Sequence, residues 1–203
     1  MKANFILPFL LITFSLYSQS DRTRWSIEYS LNQTANIDNV GGNFEPELAS
    51  SLFGRAELPR KKSSRFTVGV GILQTRVIYR DYSGNQPFKD EERHYQFDYL
   101  LIPVGIKFNF GKFYVHPEIG AGYNYQFKIK TYHVDSEINV VDGPFIEDMT
   151  PEKFEIRFST LMSMGYEIKV GTITVLTGVK GFIFFEPDFI TTYGIGLMVG
   201  VKM

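Results

Sequence analysis

The chain has 203 residues, a formal net charge of -1 and no cysteine. The near-neutral charge gives no signal of nucleic-acid binding, and the lack of cysteine excludes disulfide bonds as a source of stability. Aromatic residues make up 16% of the chain and are accompanied by 18 glycines, a composition that favours β-structure.

The N-terminus has the features of a secretory signal peptide. Lys2 gives a short positive start, an apolar stretch runs from Phe5 to Tyr17, and Ser18 fits a cleavage site before Gln19. The stretch is too short for a membrane-spanning helix, and Pro8 interrupts it. We therefore predict export, with residues 1–18 as the signal peptide and residues 19–203 as a single domain.

Eight strands are predicted in the mature chain. They cover residues 25–31, 48–58, 66–79, 95–110, 113–132, 154–170, 173–185 and 191–203. Connections of two kinds alternate along the chain. The short ones lie at 59–64, Gly111-Lys112 and Gly171-Thr172. Those at the opposite end lie at 32–47, 80–94, 133–153 and 186–190, and all of them except the last are long. Short turns at one end and long loops at the other are typical of an outer-membrane barrel.

The fifth strand has the longest alternating pattern. Its apolar face is predicted to comprise Phe113, Val115, Pro117, Ile119, Ala121, Tyr123, Tyr125, Phe127 and Ile129. A strand of this length exceeds the usual size in globular sheets and suits a tilted membrane-spanning strand. In the third strand the alternation slips near Ile72 and Leu73, which predicts a bulge or the membrane boundary there.

The polar face of the strands is rich in glycine and carries both signs of charge. A water-exposed sheet surface has little use for so much glycine, whereas a narrow lumen needs the space. Eight strands leave an interior just wide enough for side chains, so the sequence predicts a packed polar lumen rather than a pore. The predicted lumen charge network comprises Glu28, Arg55, Glu57, Lys107, His116, Glu118, Lys128, Glu155, Arg157, Glu167, Lys169, Lys180 and Lys202.

Aromatic residues fall where two outward girdles are expected. Those near the short turns are Trp25, Phe66, Phe110, Phe113 and Tyr166, and those near the long loops are Tyr125, Phe127, Phe154, Phe158, Phe185 and Tyr193. The fold prediction is all-β: an eight-stranded antiparallel up-and-down transmembrane β-barrel, with short periplasmic turns and longer extracellular loops. A soluble lipocalin-like carrier or sandwich is the structural alternative.

The segment Phe97–Lys112 contains Tyr99-Leu100-Leu101-Ile102-Pro103 followed by Lys107, and Gly120-Ala121-Gly122 follows the next turn. In these motifs the chain resembles the outer-membrane β-barrel domain family that includes PorT-type proteins. Its end, Gly200-Val201-Lys202-Met203, also resembles the terminal strand of that family, although Met203 stands where an aromatic residue is usual. The resemblance implies an outer-membrane location, contact with the assembly machinery through the C-terminal strand and, for some relatives, assistance in protein secretion.

Catalytic and metal-binding alternatives are weak at the level of sequence. His116 is predicted to point into the lumen near Glu118, where a hydrogen-bonded network accounts for it better than catalysis does. His133, Asp135 and Ser136 have the residue types of a hydrolytic site but are almost consecutive, so their side chains diverge. The acidic third loop (Asp135, Glu137, Asp142, Glu147, Asp148, Glu152) could supply oxygen ligands to calcium, without the spacing of an EF-hand.

The leading hypothesis is therefore a non-enzymatic outer-membrane barrel with no cofactor. Its acidic loop residues Asp142, Phe145, Ile146, Glu147 and Asp148 are predicted to contact an envelope protein, such as a secretion or assembly complex. A cluster of Arg60, Lys61, Lys62 and Arg65 at the first short turn is expected to lie against lipid headgroups. A barrel that binds or transports a small molecule is the alternative function, and an enzyme is the third.

Overall fold

The computed structural model describes residues 23–37, 43–61, 63–81, 90–134, 140–149, 156–185 and 191–203. These ranges contain the strands β1 (Arg24–Ile37), β2 (Asn43–Lys61), β3 (Ser64–Asp81), β4 (Asp90–Phe110), β5 (Phe113–Val134), β6 (Val140–Met149), β7 (Ile156–Val170), β8 (Ile173–Phe185) and β9 (Thr191–Lys202). No described residue belongs to a helix long and apolar enough to cross a membrane. The predicted signal peptide lies outside the described residues.

Eight of the nine strands close into a barrel. Their order is β4-β3-β2-β1-β9-β8-β7-β5, and β5 also pairs with β4. Every neighbouring pair is antiparallel, and the first strand of the barrel pairs with the last. The predicted eight-stranded antiparallel up-and-down barrel is confirmed. Closure pairs every edge of the barrel itself, which leaves no unpaired row of backbone groups around it.

The short turns lie together at one end of the barrel. Gly111-Lys112 joins β4 to β5 and Gly171-Thr172 joins β7 to β8, as predicted, with strand pairing continuing up to each turn. Both glycines have a positive φ, 67° and 62°, which a side chain would disfavour. This end also contains Arg24 and Lys202, and we call it the turn end. The opposite end is called the loop end.

The ninth strand lies inside the predicted third loop. β6 pairs with Phe127–Val134 of β5, while β7 pairs with Phe113–Tyr123. Because β4 occupies the other edge of β5 over its whole length, β6 and β7 share one edge, one above the other. The prediction that Asp142, Phe145, Ile146, Glu147 and Asp148 form a loop was therefore wrong, since they belong to β6.

The predicted long loops at 32–47 and 80–94 are also partly strand. β1 continues to Ile37, β2 begins at Asn43, and β4 begins at Asp90. These strand ends are mostly polar, so they give no regular apolar alternation from which a strand could be predicted.

Apolar side chains point outward over most of the barrel wall. Ile119 and Leu197 are 64% and 74% exposed, and Val199 is also exposed, whereas on the inner face Gly120 and Gly122 are buried and Gly196 is half-buried. This is the predicted orientation. It places an apolar band around the barrel where a soluble carrier would have polar groups, so it argues against the lipocalin-like alternative.

One irregularity reverses the faces of β5. Asp98 pairs with Gln126 and Tyr99 pairs with Asn124, so Tyr125 is an extra residue on β5. Beyond this bulge, Phe127 stacks on Phe97 at 4.6 Å between ring centroids, and Phe97 packs against the inner core. The prediction that Phe127 and Ile129 continue the outward apolar face was wrong, because an inserted residue exchanges the two faces of a strand.

No such irregularity occurs at Ile72 and Leu73. Ile72 is exposed, Leu73 is buried, and the pairing of β3 with β4 is continuous on both sides of them. The outward residues change here from apolar at Ile72 to polar at Gln74 and Arg76. The inward residues Leu73 and Val77 are apolar and buried. The predicted bulge is therefore absent from β3. The alternative, an end to the outward apolar band, fits this composition change.

Candidate functional site

Buried side chains fill the lumen in successive layers, and β2 contributes one residue to each of three layers. From the turn end, the successive inward residues of β2 are Glu57, Arg55 and Phe53, each fully buried. Each belongs to a different layer: a lower charge ring, an upper charge cluster and an aromatic layer. The alternation of a strand separates the layers by two residues, or about 7 Å along the chain.

The lower charge ring consists of four side chains with alternating charge. Lys107 Nζ lies 2.9 Å from Glu57 Oε1 and 2.8 Å from Glu167 Oε1. Lys202 Nζ lies 2.5 Å from Glu167 Oε2 and 3.7 Å from Glu57 Oε2. The four residues come from β2, β4, β7 and β9, so the ring connects opposite sides of the barrel. Each ammonium lies between two carboxylates, which compensates buried charge that would otherwise be costly.

The upper charge cluster is centred on Arg55. Its Nε and Nη2 donate to the two oxygens of Glu118 at 2.7 and 2.6 Å, and its Nη1 donates to Glu28. This fork geometry is the strongest form of a charge-assisted hydrogen bond. His116 lies beside the cluster, with Nε2 at 2.7 Å from the Thr67 hydroxyl. His116 thus sits in a buried hydrogen-bonded network, with 1% of its surface exposed.

Lys180 is the exception among the lumen charges. It is buried, and its Nζ has no hydrogen-bond partner among the described residues. The ammonium lies 3.5 Å from the centroid of the Phe53 ring, a cation–π contact.

The aromatic layer was not predicted from the sequence. It closes the lumen toward the loop end with Tyr99 stacked on Phe184 at 4.5 Å and with five further buried residues, Phe53, Leu73, Leu101, Leu161 and Phe182. The sequence predicted a lumen that is polar throughout, but this section of it is apolar. The signal was present in unbroken apolar runs such as Leu100-Leu101-Ile102 and Phe182-Ile183-Phe184-Phe185, which indicate apolar surroundings on both faces of a strand.

Most of the predicted lumen charges line the interior. Those buried there are Glu28, Arg55, Glu57, Lys107, His116, Glu118, Lys180 and Lys202, with Glu167 half-buried among them. Arg157 is half-buried near the loop end of β7, and Lys169 is exposed at the turn end. Lys128 was wrongly placed, since it follows the bulge at Tyr125 and lies on the outer face. Glu155 lies outside the described residues.

The predicted girdles are largely present. At the turn end Phe66, Phe110 and Tyr166 are exposed, and Phe113 packs edge-on against Tyr166 at 5.6 Å. At the loop end Tyr125, Phe158, Phe185 and Tyr193 are exposed. Phe127 is the exception, and Phe154 lies outside the described residues.

One side of the barrel extends beyond the other at the loop end. β4 and β5 have 21 and 22 residues, whereas β8 and β9 have 13 and 12. We call this extension, formed by residues 90–98, 126–134 and β6, the loop-end sheet. Phe145 and Ile146 on β6 are 50% and 59% exposed. An open groove of about 410 Å³ runs along the inner face of this sheet and is lined by Arg93, Ile129, Thr131, His133, Phe145 and Glu147.

His94 makes two contacts with carboxylates on the outer face of the barrel at the loop end. His94 Nε2 lies 2.6 Å from Glu92 Oε1, and Nδ1 lies 3.4 Å from Glu47 Oε2 on β2. The hydrogen bond to Glu47 raises the pKa of His94 above its usual value against the opposing effect of partial burial, and the contact with Glu92 adds a smaller increase. Sequence analysis did not single out this residue, because Glu47 lies on β2, far from His94 in the chain.

The remaining candidate sites are not assembled in the described residues. Asp135, Ser136, Glu137 and Glu152 lie outside them, and Asp142, Glu147 and Asp148 are spaced along β6. No group of three or more histidine, aspartate or glutamate side chains converges for a metal ion in the described ranges. Of the basic cluster at the first turn, Arg65 extends inward, with Nε 3.8 Å from Glu57 Oε2.

No protein-family model matches the sequence, and no curated protein matches it. Among solved structures, the chain is similar to Ail, the attachment invasion locus protein of Yersinia pestis, in complex with the heparin analogue sucrose octasulfate. The TM-score is 0.53 at 12% identity, over 90% of this chain and 99% of Ail. A second Ail structure gives a TM-score of 0.49 at 11% identity over the same shares of the two chains. Neisserial surface protein A gives 0.41 at 12% identity, over 88% of this chain and 96% of that chain.

The likeness to Ail, an outer-membrane protein, shows a shared fold. It agrees with the closed barrel and with the outward apolar band described above. The resemblance to PorT-type proteins is not tested by these comparisons and stays a prediction. The chain has the fold of a small outer-membrane β-barrel with a filled interior.

Proposed function

We propose that this protein is a non-enzymatic integral barrel of the outer membrane of a Gram-negative bacterium, exported with its N-terminal signal peptide. In this proposal the turn end faces the periplasm and the loop-end sheet faces outward as a platform for a protein partner. The observation that carries it is the division of the wall, with apolar side chains outside and three packed layers inside. Such a wall is stable only where lipid surrounds it.

The platform role rests on the loop-end sheet. β6 pairs with β5 on one edge only within the described residues, and Phe145 and Ile146 are exposed beside Glu147. Exposed apolar side chains among charged ones are typical of interaction surfaces. The partner class suggested by the PorT-type resemblance is a secretion or envelope-assembly complex. Lipid and the assembly machinery, which would recognise β9, are the other partners proposed.

Transport through the barrel is disfavoured by the same layers. The lower charge ring and the aromatic layer place buried side chains across the lumen at two levels, which an ion or a small molecule would have to pass. A small molecule could bind in the groove of the loop-end sheet, where Arg93, Thr131 and Glu147 provide polar groups beside Phe145. This is the second candidate function.

Membrane insertion is tested by fractionating cells that express the full chain and washing the membranes with urea. We expect the protein in the outer-membrane fraction, resistant to the wash, and migrating faster on gels when unheated, as closed barrels do. Recovery in the soluble fraction would contradict the proposal.

The platform is tested by mild detergent extraction and identification of what is recovered with the barrel. We expect a specific envelope protein that is lost from the F145S/I146S variant. The matched control is F110S, which removes an aromatic side chain that is 63% exposed at the opposite end. Recovery of the barrel alone, or equal loss from both variants, would count against a partner at the loop-end sheet.

A further inference from the structure

Arg65 adds a fifth charged side chain to the lower charge ring. Its Nε lies 3.8 Å from Glu57 Oε2, and Lys202 Nζ lies 3.7 Å from the same oxygen. Glu57 Oε2 thus has two cations beside it and a hydrogen bond from neither, since both distances exceed hydrogen-bond length. With Arg65 included, three cations (Arg65, Lys107 and Lys202) contact two carboxylates (Glu57 and Glu167), which leaves one excess positive charge.

The guanidinium of Arg65 also has a donor without an acceptor. Its Nη1 is buried and makes no hydrogen bond to any described residue. Among the described residues, Glu57 is the only carboxylate within 4.0 Å of Arg65. Buried donors are normally satisfied, and a buried charge is costly unless it is paired. A water molecule would satisfy the donor but leave the excess charge, whereas an anion would compensate both.

The five charged side chains are accessible from the turn end. The side chains of Arg65 and Glu167 are 19% and 18% exposed, whereas the other three are almost fully buried. Arg65 pairs with Pro59, which lies two residues beyond Glu57 toward the turn end. We call the opening beside Arg65 and Glu167 the turn-end mouth. Because an eight-stranded barrel leaves an interior just wide enough for side chains, this mouth admits only a small group.

We propose that the turn-end mouth binds a single oxyanion group, a carboxylate or a phosphate, against Arg65. The planar fork of a guanidinium matches two oxygens of such a group. Asn109 lies two residues beyond Lys107 toward the turn end, and Lys107 pairs with Arg65. The Asn109 Oδ1 is buried without a hydrogen bond to a described residue, and rotation of the amide would place its N–H donors there. Binding does not depend on the proposed membrane location, whereas a periplasmic source of the anion follows from the proposed orientation.

The test is isothermal titration calorimetry of the purified barrel in an uncharged detergent, with chloride as the only other anion. Three probes are compared at equal ionic strength: inorganic phosphate, the peptide N-acetyl-triglycine with its free carboxylate, and the amide of the same peptide. We expect saturable binding of an oxyanion probe at a single site and no binding of the amide. Phosphate and the peptide carboxylate distinguish a free ion from a polypeptide as the source of the oxyanion.

Replacing Arg65 with glutamine should weaken binding at least about tenfold, because R65Q removes a charge-assisted hydrogen bond from the anion. The variant should still fold, since the four remaining members of the lower charge ring balance one another, and its urea midpoint checks this. The matched control is K112Q, which removes one positive charge from an exposed turn residue at the same end. Its affinity should stay within about twofold of the wild type, the scatter expected of an independent site.

Binding of either oxyanion that R65Q weakens and K112Q does not would support the site and identify which group it takes. The proposal is overturned if neither phosphate nor N-acetyl-triglycine binds the wild type, or if R65Q binds as tightly as the wild type. Equal losses in R65Q and K112Q would show a general attraction to a basic surface and would also overturn it. Failure of the barrel to insert into membranes would refute the proposed function and leave this binding result unaffected.

Discussion

At the scale of single residues, the lumen depends on a few charged side chains that differ in how well they are satisfied. Arg55 uses three nitrogen atoms on two carboxylates, whereas Lys180 makes no hydrogen bond to a described residue. Both are fully buried in the same part of the interior and both contact the Phe53 ring. The two cations therefore provide a direct comparison of a paired and an unpaired buried charge.

Replacing Arg55 with methionine should strongly destabilise the barrel. The R55M variant leaves Glu28 and Glu118 buried without their main partner, and removing one member of a buried ion pair costs about 3–5 kcal/mol. Urea unfolding of the barrel in lipid vesicles, followed by the fluorescence of Trp25, measures the change. K180M is the control: we expect a smaller loss, because its ammonium has no hydrogen bond to lose and methionine packs well on an aromatic ring. Equal losses in the two variants would contradict this assignment.

His94 should make the stability of the loop end depend on pH. Its pKa is raised in the folded state, chiefly by the hydrogen bond to Glu47, so the charged form is stabilised. The stabilisation is fully present below the unfolded pKa, about 6.5, and is lost as the pH rises through the higher folded value. Wild type should therefore exceed H94Q in stability at about pH 6 by more than at about pH 9. The urea midpoints of wild type and H94Q at the two pH values provide the test. A difference between the two proteins that does not change with pH would contradict the prediction.

At the scale of the strands, two irregularities shape the loop end. The bulge at Tyr125 on β5 exchanges its inner and outer faces where the outward apolar band ends. On β2, pairing with β3 shifts register between Pro46 and Ser51, which leaves backbone groups of β3 without their usual partner. The hydroxyl of Thr34 on β1 fills that gap: it accepts from Arg76 N at 2.9 Å and lies 2.5 Å from Arg76 O. A side chain thus replaces part of a strand pairing.

Replacing Thr34 with valine should destabilise the barrel without changing its shape. Valine is close in size but leaves the Arg76 amide and carbonyl unsatisfied, at a cost of about 1–3 kcal/mol. The control is T75V, because the buried Thr75 hydroxyl has no hydrogen-bond partner among the described residues. We expect T75V to be neutral or stabilising. The urea midpoints of both variants give the answer, and a neutral T34V would contradict the bridging role.

At the scale of the whole molecule, the barrel is a closed cylinder with an uneven rim. Its interior is occupied by the lower charge ring, the upper charge cluster and the aromatic layer, and its taller side carries the loop-end sheet. Rigid barrels with a displayed surface place binding on the extension rather than in the wall. Interaction with a partner is therefore expected at the loop end, and permeation through the barrel is not expected.

Reconstituted barrels should show no ion conductance above that of the lipid alone. An ion would have to pass the salt bridges of the lower charge ring and then seven buried apolar residues of the aromatic layer. Planar-bilayer recordings measure this, with insertion confirmed beforehand by resistance to urea extraction. Reproducible unitary current steps from inserted protein would show that the layers open and would contradict a filled lumen.

The sequence alone determined the barrel, because strict alternation, two-residue glycine turns and glycine on the polar face each leave a local trace. The outward positions of Ile119 and Leu197 and the inward positions of Arg55 and Glu118 follow from that alternation. The membership of the ion pairs did not, since Arg55 and Glu118 meet only through closure of the barrel. Residues 63 positions apart leave no common periodic signal.

Only the tertiary structure decided where the two faces exchange. Phe113 to Ile129 alternates without interruption in the sequence, yet Phe127 lies inside because Tyr125 is bulged against β4. A bulge depends on the register of the neighbouring strand, which the alternation of one strand does not record. The same holds for β6, whose polar residues become a strand only because the free edge of β5 lies beside them. Periodicity specifies which residues can face lipid, and pairing between distant strands specifies which of them do.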